Sequence, residues 1–152
     1  MTSDAHSVAI PRPDGKWASA AMEQAVKDAD ISLDEVGYIN AHGTSTRMND
    51  KAESISIKNV FKNRKGGMPA VSSNKSMIGH TLGAAGAIEA AATVLSVHHG
   101  VLTPTINYEN KDPDCDINIV ANEARDHKLK AAISNSFGFG GQNAVLVFSK
   151  VN

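Results

Sequence analysis

Apolar residues recur at helical spacing in three stretches of the chain. Between residues 17 and 29 they return every three or four positions, which predicts an amphipathic helix. A second helix is predicted over residues 50–61, because Asp50 and Glu53 have N-cap spacing. The third stretch, residues 80–99, is rich in alanine and apolar on most of its faces, so we expect a buried helix that Gly100 ends.

Short apolar runs between these helices predict strands. They lie at residues 36–41, 69–73, 131–135 and 144–148, with a further short strand at residues 117–121. Helices alternate with the first strands, and the last two strands follow one another across a glycine-rich turn. This order predicts an α/β fold with a mixed sheet and packed helices.

Composition narrows the class of protein. A length of 152 residues suits a single domain. The net charge of -1 lacks the excess of positive charge that is typical of proteins that bind nucleic acid or anionic membranes. The single cysteine, Cys115, cannot form a disulfide within the chain. The N-terminus has no secretory signal pattern, so we expect a cytoplasmic protein, or one of plastids or mitochondria in a eukaryote.

A first polar segment follows the predicted strand at residues 36–41. It places His42 at the strand end, before a glycine and three hydroxyl side chains that include Thr44 and Thr46. Ends of strands in α/β sheets are common positions for sites. The alternative is an ordinary strand exit with a turn and a helix cap.

A second polar segment holds Lys75 and His80 around a turn before the alanine-rich helix. A histidine at a helix N-terminus is kept neutral by the helix dipole, and a neutral imidazole still donates one hydrogen bond to a developing oxyanion. The alternative is that His80 only caps the helix while Lys75 is solvated.

A third segment is the glycine-rich turn between the last two strands, which carries Phe137 and Phe139. Its backbone amides could line an oxyanion pocket and one aromatic ring could gate it, or it could be a simple β-turn with core aromatics. It lacks the pattern of a phosphate-binding loop. A zinc site is disfavoured, because no HExxH or CxxC motif occurs.

Taken together, four blocks resemble the C-terminal half of an elongating β-ketoacyl-[acyl-carrier-protein] synthase, a thiolase-fold enzyme similar to synthase II. The blocks are Asn40-Ala-His-Gly-Thr-Ser-Thr46, Asn74-Lys-Ser-Met-Ile-Gly-His-Thr-Leu-Gly-Ala-Ala-Gly86, Pro104-Thr-Ile-Asn107 and Asn135-Ser-Phe-Gly-Phe-Gly-Gly141. They span nearly the whole chain in one order. The expected domain is therefore residues 1–152 as the C-terminal part of such a synthase, without the half that holds the nucleophilic cysteine.

The resemblance implies a decarboxylating Claisen condensation between malonyl-carrier protein and an acyl-enzyme. His42 and His80 would be the catalytic histidines, and Lys75 would fix and tune His80. Thr44 and Thr46 would contact the phosphopantetheine arm. Phe139 would gate the acyl pocket and complete the oxyanion hole through its N–H, with Phe137 against the active site.

The resemblance also implies partners and an ion. Acyl carrier protein, the missing N-terminal half and a second copy in the full enzyme are the expected partners. Phosphopantetheine would arrive on the carrier, so no resident cofactor is expected. A structural monovalent cation would lie near Asn40, Glu53, Glu89, Ser134 and Asn135.

Several departures and alternatives accompany this resemblance. Arg47, Asn74 and Gln142 differ from residues frequent in the family, and Cys115, between acidic neighbours, is not the missing nucleophile. A polyketide-type ketosynthase segment and a non-catalytic partner or fragment are the alternatives. We expect the chain alone to be inactive and to self-associate, bind its missing half, or rearrange around His80.

Overall fold

Five strands form a mixed sheet in the computed structural model, which describes residues 1–150. In chain order they are β1 (Thr2–Ser3), β2 (Val36–Asn40), β3 (Ala70–Ser72), β6 (Ala131–Gly138) and β7 (Gln142–Ser149). Their spatial order is β1-β7-β6-β2-β3. The central strand β2 runs parallel to β3 and β6, whereas β7 pairs antiparallel with β6 and β1. The predicted α/β class with a mixed sheet is confirmed.

Helices cover both faces of this sheet. The helices are α1 (Lys16–Asp28), α2 (Arg47–Phe61), α3 (Lys75–Ile78) and α4 (Ala85–His99). Neighbouring residues of a strand face opposite sides, so Tyr38 and Ile39 of β2 enter different cores. Ile39 packs with Met22 of α1 and Phe61 of α2, whereas Tyr38 packs with Val97 of α4.

A second, two-stranded sheet lies beside the core. It pairs β4 (Val101–Leu102) with β5 (Arg125–Asp126), and the sequence patterns predicted neither strand, nor β1. All three have two residues, which is too short for a periodic signal.

Two predicted helix boundaries were wrong. Helix α2 begins at Arg47 rather than Asp50, since Thr46 has the extended backbone of an N-cap and already accepts the Asp50 N–H at 2.9 Å. The single helix predicted over residues 80–99 is divided. Gly79, with φ 75°, ends α3, a 3-10 turn follows at Leu82–Ala84, and α4 begins only at Ala85.

The predicted strand at residues 117–121 was also wrong. Only single bridges form there, from Ile119 to Val71 and from Ala121 to Thr105. Conversely, β6 and β7 extend beyond the predicted bounds, because their antiparallel ladder continues to the pair Gly138 and Gln142.

Helix α4 buries one stripe rather than most of its surface. The buried residues follow the helical repeat on the side that faces the sheet: Ala85, Glu89, Thr93, Ser96 and Val97. The opposite side is exposed and apolar, with Ala87, Ile88, Ala91, Val94 and Leu95. No part of residues 1–150 covers this side of the alanine-rich helix, so the predicted buried helix is buried on one side only. An uncovered apolar side is expected where a helix packs against residues beyond these.

Candidate active site

The loop that carries His42 leaves the carboxyl end of the central strand and is held by a buried carboxylate. Glu53 of α2 accepts the backbone N–H groups of His42 and Gly43, both at 2.9 Å. Gly43 has φ 41°, and a Cβ there would lie 2.5 Å from the Ser73 Cβ. A side chain is therefore excluded at Gly43, and the backbone next to His42 is fixed on both sides.

Lys75 is buried in an ion pair. Its ammonium group contacts the Glu89 carboxylate of α4, and only 5% and 2% of the two side chains are exposed. The alternative of a solvated lysine is therefore wrong. The Lys75 ammonium group donates to Glu89 and, among the described residues, makes no hydrogen bond to His80. Lys75 therefore acts on the histidines through its charge.

His80 lies in the exposed segment between α3 and α4 and not at the first turn of a long helix. The Leu82 N–H donates to His80 Nδ1 at 3.1 Å. Nδ1 is therefore the acceptor, and the neutral ring carries its hydrogen on Nε2. This contact assigns the tautomer of His80, and the predicted position of His80 at the N-terminus of a long helix was wrong.

The two histidine rings meet at the same place. Their centroids are 5.7 Å apart with the rings nearly perpendicular, and the centroid of the Phe137 ring lies 5.7 Å from that of His42. Burial lowers the pKa of His42 to about 3, with further lowering from the charges of Lys75 and His80. His42 is therefore a neutral imidazole at physiological pH.

Of the hydroxyl and aromatic side chains predicted to bind substrate, Phe137 packs near His42, and Thr44 lines the same cavity as His80. Thr44 is half-buried, Thr46 is exposed, and their hydroxyl oxygens are 2.9 Å apart. Phe137 is half-buried, whereas Phe139, at the tip of the β6–β7 turn, is 83% exposed. The core-aromatic alternative is therefore wrong for Phe139.

The turn that carries Phe139 is tied to the N-terminal segment, a contact that the sequence patterns did not predict. The Gly140 N–H donates to the Val8 carbonyl at 2.7 Å. Asn143 Nδ2 donates to Asp4 Oδ1 at 2.8 Å, and the Asp4 N–H donates to the Gly141 carbonyl at 2.7 Å. Asp4 is buried in this contact, and nothing in the sequence around it signals a partner near the other end of the chain.

The five residues predicted around a cation form two groups on opposite faces of the sheet, with Asn40, Ser134 and Glu89 on the α4 face and Asn135 and Glu53 on the α1 and α2 face. Asn135 Nδ2 donates to Glu53 Oε1 at 3.1 Å, and Asn40 Nδ2 donates to the Glu89 carbonyl at 3.2 Å. Asn40 and Ser134 are register partners on β2 and β6. Within this set of five residues, three buried side-chain oxygens have no hydrogen-bond donor: Asn40 Oδ1, Asn135 Oδ1 and Glu89 Oε2.

Glu53 has a different environment from the others in this set. Burial raises the pKa of its carboxyl group, against the lowering by the N–H donors of Gly43, Asn135 and His42. The resemblance placed Glu53 only near the ion, and nothing in the sequence predicted its bonds to the His42 loop. N-cap spacing with Asp50 had suggested an ordinary helix start.

A cavity of about 530 Å³ adjoins the site on the α2 side of the sheet. Its lining includes Thr44, Lys75, His80, Asp112 and Cys115. Burial raises the pKa of the Cys115 thiol, and the nearby carboxylates of Asp112 and Asp50 raise it further, against the lowering by a Ser54 hydrogen bond. Cys115 is thus a protonated, weakly nucleophilic thiol at neutral pH.

Residues 1–150 hold no group of three or more histidine, cysteine or acidic side chains arranged to bind a metal ion. In the same part of the chain, no helix has both the length and the apolar character needed to cross a membrane.

Comparison with known proteins identifies related sequences over almost the full chain. Residues 1–109 match a family model described as the C-terminal domain of beta-ketoacyl synthase. The chain is 48% identical over 150 residues to 3-oxoacyl-[acyl-carrier-protein] synthase 2 of Synechocystis sp., covering 99% of this chain and 36% of that protein. It is 49% identical to the chloroplastic 3-oxoacyl-[acyl-carrier-protein] synthase I of Hordeum vulgare, covering 98% of this chain and 32% of that protein.

Solved structures share the fold. A type II polyketide synthase acyl-carrier protein in complex with its ketosynthase bound to the hexaketide matches with a TM-score of 0.94 and 39% identity, over 99% of this chain and 36% of that one. A beta-ketoacyl synthase from Burkholderia phymatum gives 0.90 and 37%, with the same coverage. The predicted thiolase-like fold is confirmed. The chain spans about a third of the length of the curated relatives above.

Proposed function

The chain belongs to the beta-ketoacyl synthase C-terminal domain family, and on that premise we propose that it forms the histidine-bearing part of a condensing enzyme of fatty acid synthesis. The reaction is the decarboxylation of malonyl-carrier protein followed by attack of the resulting carbanion on an acyl-enzyme. The observation that carries the proposal is the convergence of His42 and His80, with rings 5.7 Å apart and His42 neutral.

Neutral imidazoles suit this chemistry. Loss of CO₂ leaves a carbanion beside a thioester, and the charge moves onto the thioester oxygen as an enolate. Two N–H donors aimed at that oxygen stabilise it, and removal of one such donor typically costs about 2.7–4 kcal/mol. His80 carries its hydrogen on Nε2, which leaves that atom free to donate.

The remaining site residues have supporting roles in this proposal. Lys75 acts through its charge, which helps to keep His42 neutral, and its pair with Glu89 keeps that charge in place. Thr44 and Thr46 contact the phosphopantetheine arm delivered by acyl carrier protein. Phe139, exposed at a turn tip, gates the acyl site, and its N–H completes the oxyanion hole of the acyl-enzyme.

A cysteine that accepts the acyl group belongs to the part of the enzyme beyond this chain. Cys115 does not suit that step, because its thiol is protonated and faces Asp112 at 3.7 Å. The exposed apolar face of α4 is where the rest of the enzyme packs. The complete enzyme is expected to be a homodimer.

The polyketide alternative has weaker support. Identity to the two 3-oxoacyl-[acyl-carrier-protein] synthases named above is 48% and 49%, against 39% to the polyketide ketosynthase. A non-catalytic partner is disfavoured, because His42, Lys75 and His80 are all present and converge.

The monovalent cation fits the residues present. Asn40 Oδ1, Asn135 Oδ1 and Glu89 Oε2 are buried oxygens without donors, and such oxygens are the ligands that hard cations prefer. Asn40 and Glu89, which share the α4 face of the sheet with Ser134, would hold the ion, and the ion would supply structural charge compensation. Asn135 and Glu53 are bonded to each other on the opposite face. A rubidium anomalous-scattering map with no peak near Glu89, together with a melting temperature indifferent to the choice of alkali ion, would count against it.

A chimera tests the proposed function. The preceding N-terminal part of the Synechocystis synthase is fused to this chain, and condensation of acyl and malonyl carriers is measured. We expect the chimera to condense them and the chain alone not to. A chimera that melts cooperatively but neither decarboxylates malonyl-carrier protein nor condenses would contradict the proposal.

A further inference from the structure

The segment that follows β4 is bonded to the turn that carries Lys75. We call residues 103–106 the brace; they overlap the Pro104-Thr-Ile-Asn107 block, to which the proposed function gives no role. Three hydrogen bonds join the two segments: Thr103 Oγ1 to Asn74 Oδ1 at 2.6 Å, the Ser73 N–H to Thr105 Oγ1 at 2.9 Å, and the Ile106 N–H to Ser76 Oγ at 3.0 Å. The turn is thus fixed immediately before and after Lys75.

Thr103 also reaches the central strand. Tyr38 of β2 lies with its hydroxyl 3.0 Å from Thr103 Oγ1 and 2.7 Å from Ser72 Oγ. Thr103 uses its single hydrogen toward Asn74, so Tyr38 donates to Thr103, and Ser72 donates to Tyr38. This directional chain connects the strand that delivers His42 with the turn that precedes His80.

The turn has little other support. Helix α3 has only four residues, and a helix that short is not stable by itself. Met77, Ile78 and His80 are exposed, so apolar burial contributes little to holding them. Among the described residues, the turn is connected to the rest of the chain by the Lys75–Glu89 pair, by the bond from Ser73 Oγ to the Gly43 carbonyl at 2.7 Å, and by the three bonds of the brace.

We propose that Thr103 and Thr105 are positioning residues that hold the Lys75–His80 turn in register with β2 and so set the spacing of His42 and His80. The inference rests on the proposed function for its catalytic consequence, but its structural part concerns the chain alone. Neither threonine touches the reacting atoms.

Hydrogen–deuterium exchange of the 152-residue chain tests the structural part. Thr103→Val and Thr105→Val each remove a hydroxyl while keeping the shape of the side chain. We expect amides of residues 76–79 to exchange about three- to tenfold faster, the effect of losing one net hydrogen bond, while amides of α1 keep their rates. Thr103→Ser should restore slow exchange.

Thr81→Val is the matched control, because the Thr81 hydroxyl is buried and has no hydrogen-bond partner among the described residues. If the amides of residues 76–79 exchange at the same rate in both brace variants as in Thr81→Val, the proposal is overturned. Equal acceleration in the turn and in α1 would overturn it as well, since that is general destabilisation.

Kinetics in the chimera described above test the catalytic part. Thr103→Val should lower kcat for malonyl decarboxylation and leave KM for malonyl-carrier protein unchanged, with recovery in Thr103→Ser. An unchanged kcat would refute the positioning role. If the chimera without these substitutions fails to decarboxylate, the proposed function is at fault, and the exchange experiment still decides whether the brace holds the turn.

Discussion

The imidazole rings of His42 and His80 meet edge to face with their centroids 5.7 Å apart. They arrive from different loops, one at the end of β2 and one between α3 and α4. Each loop is held by side chains remote from it in sequence. Glu53 binds the backbone at His42, and the brace binds the turn before His80.

The buried, neutral state of His42 predicts a pH dependence of stability. The folded-state pKa is about 3 against 6.5 for a free histidine, so below pH 6.5 the unfolded chain takes up a proton that the folded chain does not. His42 thus opposes folding increasingly as the pH falls, by roughly 1.4 kcal/mol per pH unit.

Urea unfolding at pH 7, 6, 5 and 4 measures this effect. Because other groups titrate in the same range, the informative quantity is the difference between the unmodified chain and His42→Gln. The unmodified chain should lose more stability toward low pH. Parallel curves for the two proteins would refute a neutral His42.

Glu53→Gln should weaken the His42 loop. The carboxylate accepts from His42 and Gly43, and an amide NH₂ in its place leaves at least one of those N–H groups without an acceptor. We expect a loss of about 1–3 kcal/mol in the free energy of unfolding. The control is Glu23→Gln, an exposed glutamate of α1, which should change little.

Sequence patterns predicted the positions of the functional loops better than they predicted the residues that hold those loops in place. His42 was predictable because an apolar strand ends just before it, and Glu89 stood out as the only acid in an apolar helix. The pairing of Lys75 with Glu89 depends on how α3 and α4 fold back on each other, which periodicity does not encode. The bond between Asp4 and Asn143 joins opposite ends of the chain and has no local signal.

Cys115→Ser should leave acyl transfer intact in the complete enzyme. The thiol is protonated at neutral pH because burial and two carboxylates raise its pKa. Mass spectrometry after incubation with acyl-carrier protein checks this. An acyl adduct that maps to Cys115 would show that the thiol is reactive after all.

The exposed face of α4 predicts self-association of the isolated chain. Ile88, Val94 and Leu95 form an apolar strip, and Leu95 alone is 56% exposed. Monomers seldom expose large apolar patches. Sedimentation velocity should show a dimer or larger species that Leu95→Glu shifts toward monomer.

Met48→Glu is the matched control for this experiment. Met48 is 58% exposed on α2, which covers the other face of the sheet. The Met48→Glu variant should leave the self-association of the chain unchanged. A stable monomer of the unmodified chain that also condenses acyl and malonyl carriers by itself would contradict both the association and the expected inactivity.

The central claim is that His42 and His80 together stabilise the enolate formed on decarboxylation. Release of CO₂ from malonyl-carrier protein by the complete enzyme, compared with its His42→Ala and His80→Ala variants, tests this most directly. Loss of one oxyanion donor predicts a fall in kcat of about 10²–10³ for each variant. Decarboxylation at near the unmodified rate in both variants would remove the two histidines from the mechanism.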